Sequence, residues 1–183
     1  LYAEEVDPDA RSNLQIIKEV RDALDHIMRA FSGKLINNAE TDGENYCNEN
    51  FKKAVGHLYR AAFDALDGTV LSIKLKINES LKGYPVEVIS KVLTEYYEIK
   101  IELNALTENI VKHRSRKDVK KDIGVILDNY VEDVKSLKEV YNKILVAIPV
   151  LNEAFDQHKF NSRKNTLKTC FKIVAAAVIG ALI

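Results

Sequence analysis

The sequence has no tryptophan, three prolines and seven glycines among its 183 residues. An all-β fold needs a turn roughly every 8–12 residues, and so few chain breakers do not supply them. The two cysteines, Cys47 and Cys170, are far apart, so neither a disulfide framework nor a zinc-binding spacing is indicated. Lys+Arg and Asp+Glu both number 27, and this zero net charge excludes a generally basic nucleic-acid-binding protein. The 46% hydrophobic and 30% charged residues are typical of a globular protein.

Apolar residues recur at three- and four-residue spacing along most of the chain, which indicates amphipathic helices. We therefore predict an all-α fold, an antiparallel bundle of about four long helices plus an apolar C-terminal helix. A polar stretch over residues 34–48 predicts a mobile loop, and the second helix is expected from about Asn50 to Leu81. The first helix carries a predicted core stripe made of Leu14, Ile17, Val20, Leu24, Ile27, Met28 and Phe31.

The boundaries of the later helices are predicted from prolines and polar caps. A third helix is expected from Pro85 to Ile110, and a fourth begins near Lys117. Pro149 should kink or end the fourth helix, because proline lacks the N–H that a helix interior needs. Asn161 is then a suitable cap for the terminal helix.

Two segments of the chain repeat one another in reverse order. The first reads DALD-HIMRA and the second reads HLYRA-AFDALD. Antiparallel pairing of the two helices sets Asp25 opposite His57 and Asp22 opposite Arg60, with Asp64 one turn away. This predicts a polar seam. The seam either stabilises the hairpin through paired charges or forms a cluster with perturbed pKa values.

Arg21 and His26 form an R-x4-H arrangement, with the polar Asp22 directly after the arginine. This arrangement resembles the motif of the HEPN family, helical-bundle proteins whose ribonuclease members carry R-x4–6-H. The resemblance implies that Arg21 binds a phosphate and His26 transfers a proton, with no metal or cofactor. The motif lies in the first helix, whereas in the family it usually follows the long helices. A non-enzymatic role is therefore favoured.

The C-terminal segment over 161–183, which follows a bundle domain over 1–160, joins a basic collar to an apolar end. No acidic residue follows Asp156, and the eleven residues from Ile173 to Ile183 have no polar side chain. This run spans about 17 Å, against a hydrocarbon core of about 30 Å. It is too short to cross a bilayer alone, so it is predicted to be part of a longer membrane helix, to insert obliquely or in an oligomer, or to be an ordinary buried helix. Small residues four apart predict a helix-packing face at Ala176, Ala177, Gly180 and Ala181.

A second basic patch lies at the predicted turn between the third and fourth helices. Such a patch suits contact with RNA phosphates or anionic lipid headgroups, and a solvated helix junction is the alternative. The patch consists of Lys112, Arg114, Arg116, Lys117, Lys120 and Lys121.

The HEPN-like bundle, the chain length and the membrane-seeking end together resemble the small membrane-associated HEPN-like accessory proteins of type VI-B CRISPR systems. The resemblance implies a homo-oligomer at the inner membrane, with a cytoplasmic bundle, that supports RNA-guided antiviral defence as a pore-like assembly with a protein partner. Two alternatives stay open. One is a HEPN-type ribonuclease using Arg21 and His26, and the other is a non-enzymatic helical adaptor or scaffold.

Overall fold

The computed structural model describes residues 13–36, 41–115 and 123–180, and it describes side chains within 14–32, 43–115 and 123–173. These ranges form five helices and no strand, which confirms the all-α class. The helices are α1 (Asn13–Ile36), α2 (Thr41–Leu81), α3 (Val86–Val92), α4 (Tyr96–Ser115) and α5 (Ile123–Gly180).

The hydrophobic core lies between the second half of α2, α4 and the first half of α5. Helix α5 is its central element, because it packs against α2, α3 and α4. Helix α3 closes one end of the core by placing Val88 and Ile89 against Leu151. The largest fully buried side chains of the main cluster are Phe63, Ile73, Tyr130, Leu137, Val140 and Ile144.

Helices α2 and α5 run parallel to each other. A Cβ added to Gly124, at the start of α5, would lie 3.7 Å from the Tyr59 hydroxyl. Further along, the Tyr130 hydroxyl bonds to Asp67, so residue numbers rise together on both helices. Gly83 allows the chain to reverse after α2, because its φ of 93° lies in the left-handed region that favours glycine.

Helix α1 lies outside this core and packs along the first half of α2. The predicted core stripe of α1 is therefore wrong: six of its seven residues, all except the half-buried Ile27, are between 45% and 84% exposed. The side chains that α1 buries against α2 are Ala23, Ala30 and Glu19. Periodicity revealed an apolar face on α1, but it did not show whether the chain itself covers that face.

The connection between α1 and α2 is much shorter than the mobile loop predicted over 34–48. Helix α1 continues to Ile36 and α2 already begins at Thr41, while residues 37–40 lie outside the described ranges. Gly43 and Cys47 are buried, and the Asn50 side chain donates a hydrogen bond to the Tyr46 carbonyl one turn earlier. Tertiary packing thus overrides the weak helix propensity of this polar stretch.

The third predicted helix, from Pro85 to Ile110, is divided in two. Helix α3 ends at Val92 and α4 begins at Tyr96. Leu93 leaves the helical conformation with ψ of 87°, and its partly buried side chain packs against both core clusters. The break between α3 and α4 therefore lies at the residue whose side chain contacts both core clusters.

Helix α5 continues for 58 residues through Pro149 and past Asn161, where a break and a new cap were predicted. Proline in a helix interior removes a hydrogen bond and costs about 3 kcal/mol or more. Ile144 and Leu151 are fully buried on either side of it, and this packing offsets the cost. The predicted domain boundary after residue 160 falls inside α5.

Candidate functional site

The side chains of α1 point in three directions, each covering about a third of the helix circumference. One face, with Ala23 and Ala30, contacts α2. A second face is polar and includes the ion pair between Asp25 and Arg29. The third face is the exposed apolar stripe, which no described part of the chain covers. Of these three faces, the first contacts α2, and the apolar stripe has no neighbour among the described residues.

Glu19 is the centre of the polar seam between α1 and α2. Its Oε2 atom lies 2.9 Å from Arg60 Nε and 2.8 Å from His57 Nδ1, and its side chain is 9% exposed. Burial opposes ionisation of this carboxyl, but the hydrogen bonds and charges of His57 and Arg60 outweigh burial and lower the pKa of Glu19. The carboxylate therefore stays ionised and paired.

His26 extends the seam beyond this cluster. Its ring stacks on that of His57, with centroids 5.3 Å apart. Its Nδ1 atom lies 3.0 Å from Asn50 Oδ1, and the amide nitrogen of Asn50 donates to the Tyr46 carbonyl. Among the described residues, no buried side-chain nitrogen or oxygen is left without a partner. These polar groups hold α1 against α2, and their hydrogen-bonding atoms have partners within the chain.

Two of the predicted seam aspartates form ion pairs within α1 and not with His57 or Arg60. Asp22 and Asp25 form ion pairs with arginines of α1 itself, at 2.9 and 2.8 Å, and Asp64 lies half-buried on α2. Glu19 takes their place opposite the His and Arg of α2. The ring contacts of His26 with His57 and of Phe31 with Phe51 keep the predicted antiparallel register, in which facing residue numbers sum to about 82. Glu19 precedes His26 by seven residues, which is two helical turns, and that spacing is the signal that could have identified it.

Arg21 and His26, the predicted catalytic pair, lie on one continuous helix. Residues five apart in a helix point about 140° away from each other. Arg21 is 72% exposed and pairs with Asp22, whereas His26 lies in the seam. Within one chain the two side chains do not converge on a common phosphate position.

A second polar cluster, which the sequence did not reveal, joins α2, α4 and α5. The buried Tyr130 hydroxyl donates to Asp67 at 2.6 Å, and Arg114 Nε lies 3.1 Å from the same carboxylate. The His113 ring stacks on Tyr130 and lies 2.8 Å from Asp133. Burial, followed by the contact with Asp67, raises the pKa of Tyr130, so its hydroxyl remains a donor. The members are too distant in sequence to form a motif.

The predicted basic patch lies next to this cluster and is only partly described. Lys112 is exposed, and the Arg114 guanidinium is already paired with Asp67. This pairing removes one free cation from the patch. The predicted helix start near Lys117 lies outside the described ranges, as do the remaining patch residues Arg116, Lys117, Lys120 and Lys121.

Helix α5 extends well beyond its last core residue, Leu151. Every side chain from Asp156 to Ile173 is exposed, and we call this stretch the C-terminal arm. No acidic residue follows Asp156 in the sequence, whereas basic residues recur every few positions. The exposed large apolar side chains of the arm are Phe160, Leu167, Phe171 and Ile173. Its basic side chains are Lys159, Arg163, Lys164, Lys168 and Lys172.

The predicted small-residue face lies beyond the arm. The backbone of Ala176, Ala177 and Gly180 belongs to α5, but their side chains and the whole of Ala181 lie outside the described residues. Within the described part of the chain, no helix contains a stretch both long and apolar enough to span a bilayer. The same residues contain no group of three His, Cys, Asp or Glu side chains placed to bind a metal ion.

Comparison with known proteins adds no relative. No protein-family model, no curated protein and no solved structure gives a significant match to this chain. Its function is therefore argued from its own residues.

Proposed function

We propose that this chain is a non-enzymatic, peripheral membrane protein that binds an anionic bilayer surface through its C-terminal arm. The observation that carries the proposal is an 18-residue stretch of α5, from Asp156 to Ile173, in which every side chain is exposed. A helix that leaves its protein in this way is marginal in water without a surface to pack on.

The arm has the side-chain distribution of a helix that lies in the membrane interface. Phe160, Leu167 and Phe171 fall within about 40° of one another around the helix, at about 100° per residue. Arg163 and Lys164 border this stripe on its two sides. Burial of an apolar face combined with attraction of Lys and Arg to anionic lipids is how interfacial helices bind.

The basic side chains contribute the electrostatic part of this binding. Each Lys or Arg near an anionic surface is worth about 1 kcal/mol, so the four basic side chains that follow Lys159 supply about 4 kcal/mol. No carboxylate after Asp156 opposes them. The preference of basic segments for the cytoplasmic side favours binding to the inner leaflet.

A non-enzymatic role is favoured because Arg21 and His26 are engaged separately, one with Asp22 and the other in the seam. A pore-like assembly through residues 176–181 and a role in RNA-guided antiviral defence stay predictions from the resemblance described above.

Vesicle co-sedimentation tests the proposal. The full chain should bind phosphatidylcholine vesicles that contain phosphatidylserine, bind pure phosphatidylcholine vesicles weakly, and dissociate as salt rises. Replacing Leu167 and Phe171 together by serine should lower the partition coefficient at least tenfold. Replacing Lys164 and Lys168 by glutamine should reduce binding only to the anionic vesicles.

The matched control is Val146→Ser, which removes an apolar side chain from α5 that is 79% exposed but lies outside the arm. This variant should bind vesicles as the parent chain does. Equal binding by the parent chain and both arm variants would show that the arm is not the membrane contact.

A further inference from the structure

The exposed apolar stripe of α1 continues onto α2. The Phe31 and Phe51 rings pack edge to face, with centroids 6.1 Å apart, so the apolar sides of the two helices meet. Together they form one surface, which we call the outer apolar face. Its members are Leu14, Ile17, Val20, Leu24, Met28, Phe31, Phe51, Val55 and Leu58.

The area of this face is that of a protein interface. Each member is between 39% and 84% exposed. With about 150 Å² for a fully exposed large side chain, the lower end of the range for aromatic residues, the nine residues present about 740 Å². The largest apolar patch on an ordinary monomer is about 300–600 Å², whereas each partner in a stable complex buries about 800 Å².

The charges around the face indicate what covers it. Arg21 at its edge pairs with Asp22, and Arg29 pairs with Asp25 within the same helix. These pairs cancel, which leaves Lys18 and Lys52 near the rim, a smaller positive charge than that of the five basic side chains of the arm. The segments 1–12, 37–40 and 116–122 contain few large apolar residues. The apolar end of α5, from Val174, begins about 75 Å along that helix from Gly124, which lies near Tyr59 of the hairpin, so it does not cover the face of its own chain.

We propose that the outer apolar face binds the same face of a second copy of this chain. A two-helix hairpin with one apolar side becomes a four-helix bundle when two copies meet across a two-fold axis, because the same surface then serves both partners. The seam between α1 and α2 is sealed by its own hydrogen bonds, so pairing requires no rearrangement inside the hairpin. The inference is independent of the membrane proposal, since it uses no residue of the C-terminal arm.

Sedimentation equilibrium of the full chain tests this dimer. The parent chain should be dimeric at micromolar concentration. Leu24→Asp should raise the dimer dissociation constant at least 100-fold, because each dimer then buries two unpaired carboxylates. Leu24 is 58% exposed within the monomer, so the variant should keep the far-UV circular dichroism of the parent. The matched control is Leu167→Asp in the arm, which should remain dimeric.

Hydrogen exchange provides a second measurement that does not depend on a variant. Amides of α1 in the parent chain should exchange more slowly as protein concentration rises, while those of α4 should not change. A parent chain that is monomeric at 100 µM, with α1 exchange independent of concentration, overturns the proposal. Loss of the dimer in Leu167→Asp but not in Leu24→Asp also overturns it and assigns self-association to the arm. Vesicle binding that is lost in Leu24→Asp, with no dimer in the parent, assigns the face to lipid instead.

Discussion

The seam between α1 and α2 depends on one carboxylate, and Glu19→Gln removes its charge while keeping its shape. Glu19 is the shared acceptor for His57 and Arg60. Breaking a buried ion pair costs about 3–5 kcal/mol, because the remaining charge is left unpaired. Arg60 is 37% exposed, and water recovers part of that loss. We therefore expect a destabilisation of about 2 kcal/mol.

The same substitution should remove a pH dependence. Burial raises the pKa of Glu19, but the hydrogen bonds and charges of His57 and Arg60 lower it by more. The pKa in the folded chain therefore lies below its ordinary value of 4.5. A carboxyl whose pKa is lower in the folded chain than in the unfolded chain stabilises the fold at pH values above its unfolded pKa. This stabilisation is lost as the pH falls through the folded pKa. Acidification below pH 4.5 should therefore weaken the parent seam, and the difference between parent and variant should shrink.

Hydrogen exchange followed by mass spectrometry measures the effect locally. Opening of α1 in the variant should cost about 2 kcal/mol less than in the parent at pH 7, with α4 unaffected. The matched control is Glu132→Gln, which breaks the exposed pair with Lys135 on α5 and should cost less than about 0.5 kcal/mol. Equal opening free energies of α1 in parent and Glu19→Gln would refute the assignment of Glu19 as the centre of the seam.

Two further predictions concern the core. Tyr130→Phe removes the hydroxyl that bonds to Asp67 and should lower the free energy of unfolding by about 1–2 kcal/mol in urea titration; an unchanged midpoint would contradict this. Pro149→Ala restores a helical N–H in α5 and should raise the free energy of unfolding by about 2 kcal/mol; a lower melting temperature would show that the fold depends on the proline.

The helical content and the pairing of the first two helices were readable from the sequence, but the direction in which the apolar face of α1 points was not. Spacing of Leu14, Ile17 and Leu24 indicated a helix with an apolar face, and that helix exists. The face lies outward because Ala23 and Ala30 let α1 approach α2 closely on another side. A period of 3.6 residues specifies a face, and it does not specify whether that face meets the chain's own core or a separate molecule.

Helix boundaries failed where packing outweighed local preference. Pro149 was expected to break α5, but the buried Ile144 and Leu151 hold the helix on both sides. Leu93 carries no breaker signal, yet the chain turns there because two parts of the core receive its side chain. Both outcomes depend on contacts between residues far apart in sequence.

The polar seam shows the same division between local and long-range information. The reversed repeat indicated His57 and Arg60 as polar members of the interface between the first two helices. Their partner, Glu19, was missed because the prediction considered only the residues of the repeat, whereas Glu19 lies outside the repeat and reaches His57 and Arg60 with its longer side chain. Which side chain reaches across an interface depends on its length and on the local packing, and neither can be read from the repeat.

The depth of the C-terminal arm in a bilayer tests the membrane proposal most directly. Spin labels placed at Ser162, Asn165, Leu167 and Phe171, one at a time and with Cys170 replaced by serine, report contact with lipid and with water on anionic vesicles. We predict that labels at 167 and 171 lie below the lipid phosphates, while those at 162 and 165 remain in water. Equal water contact at all four positions, with and without vesicles, would contradict the account.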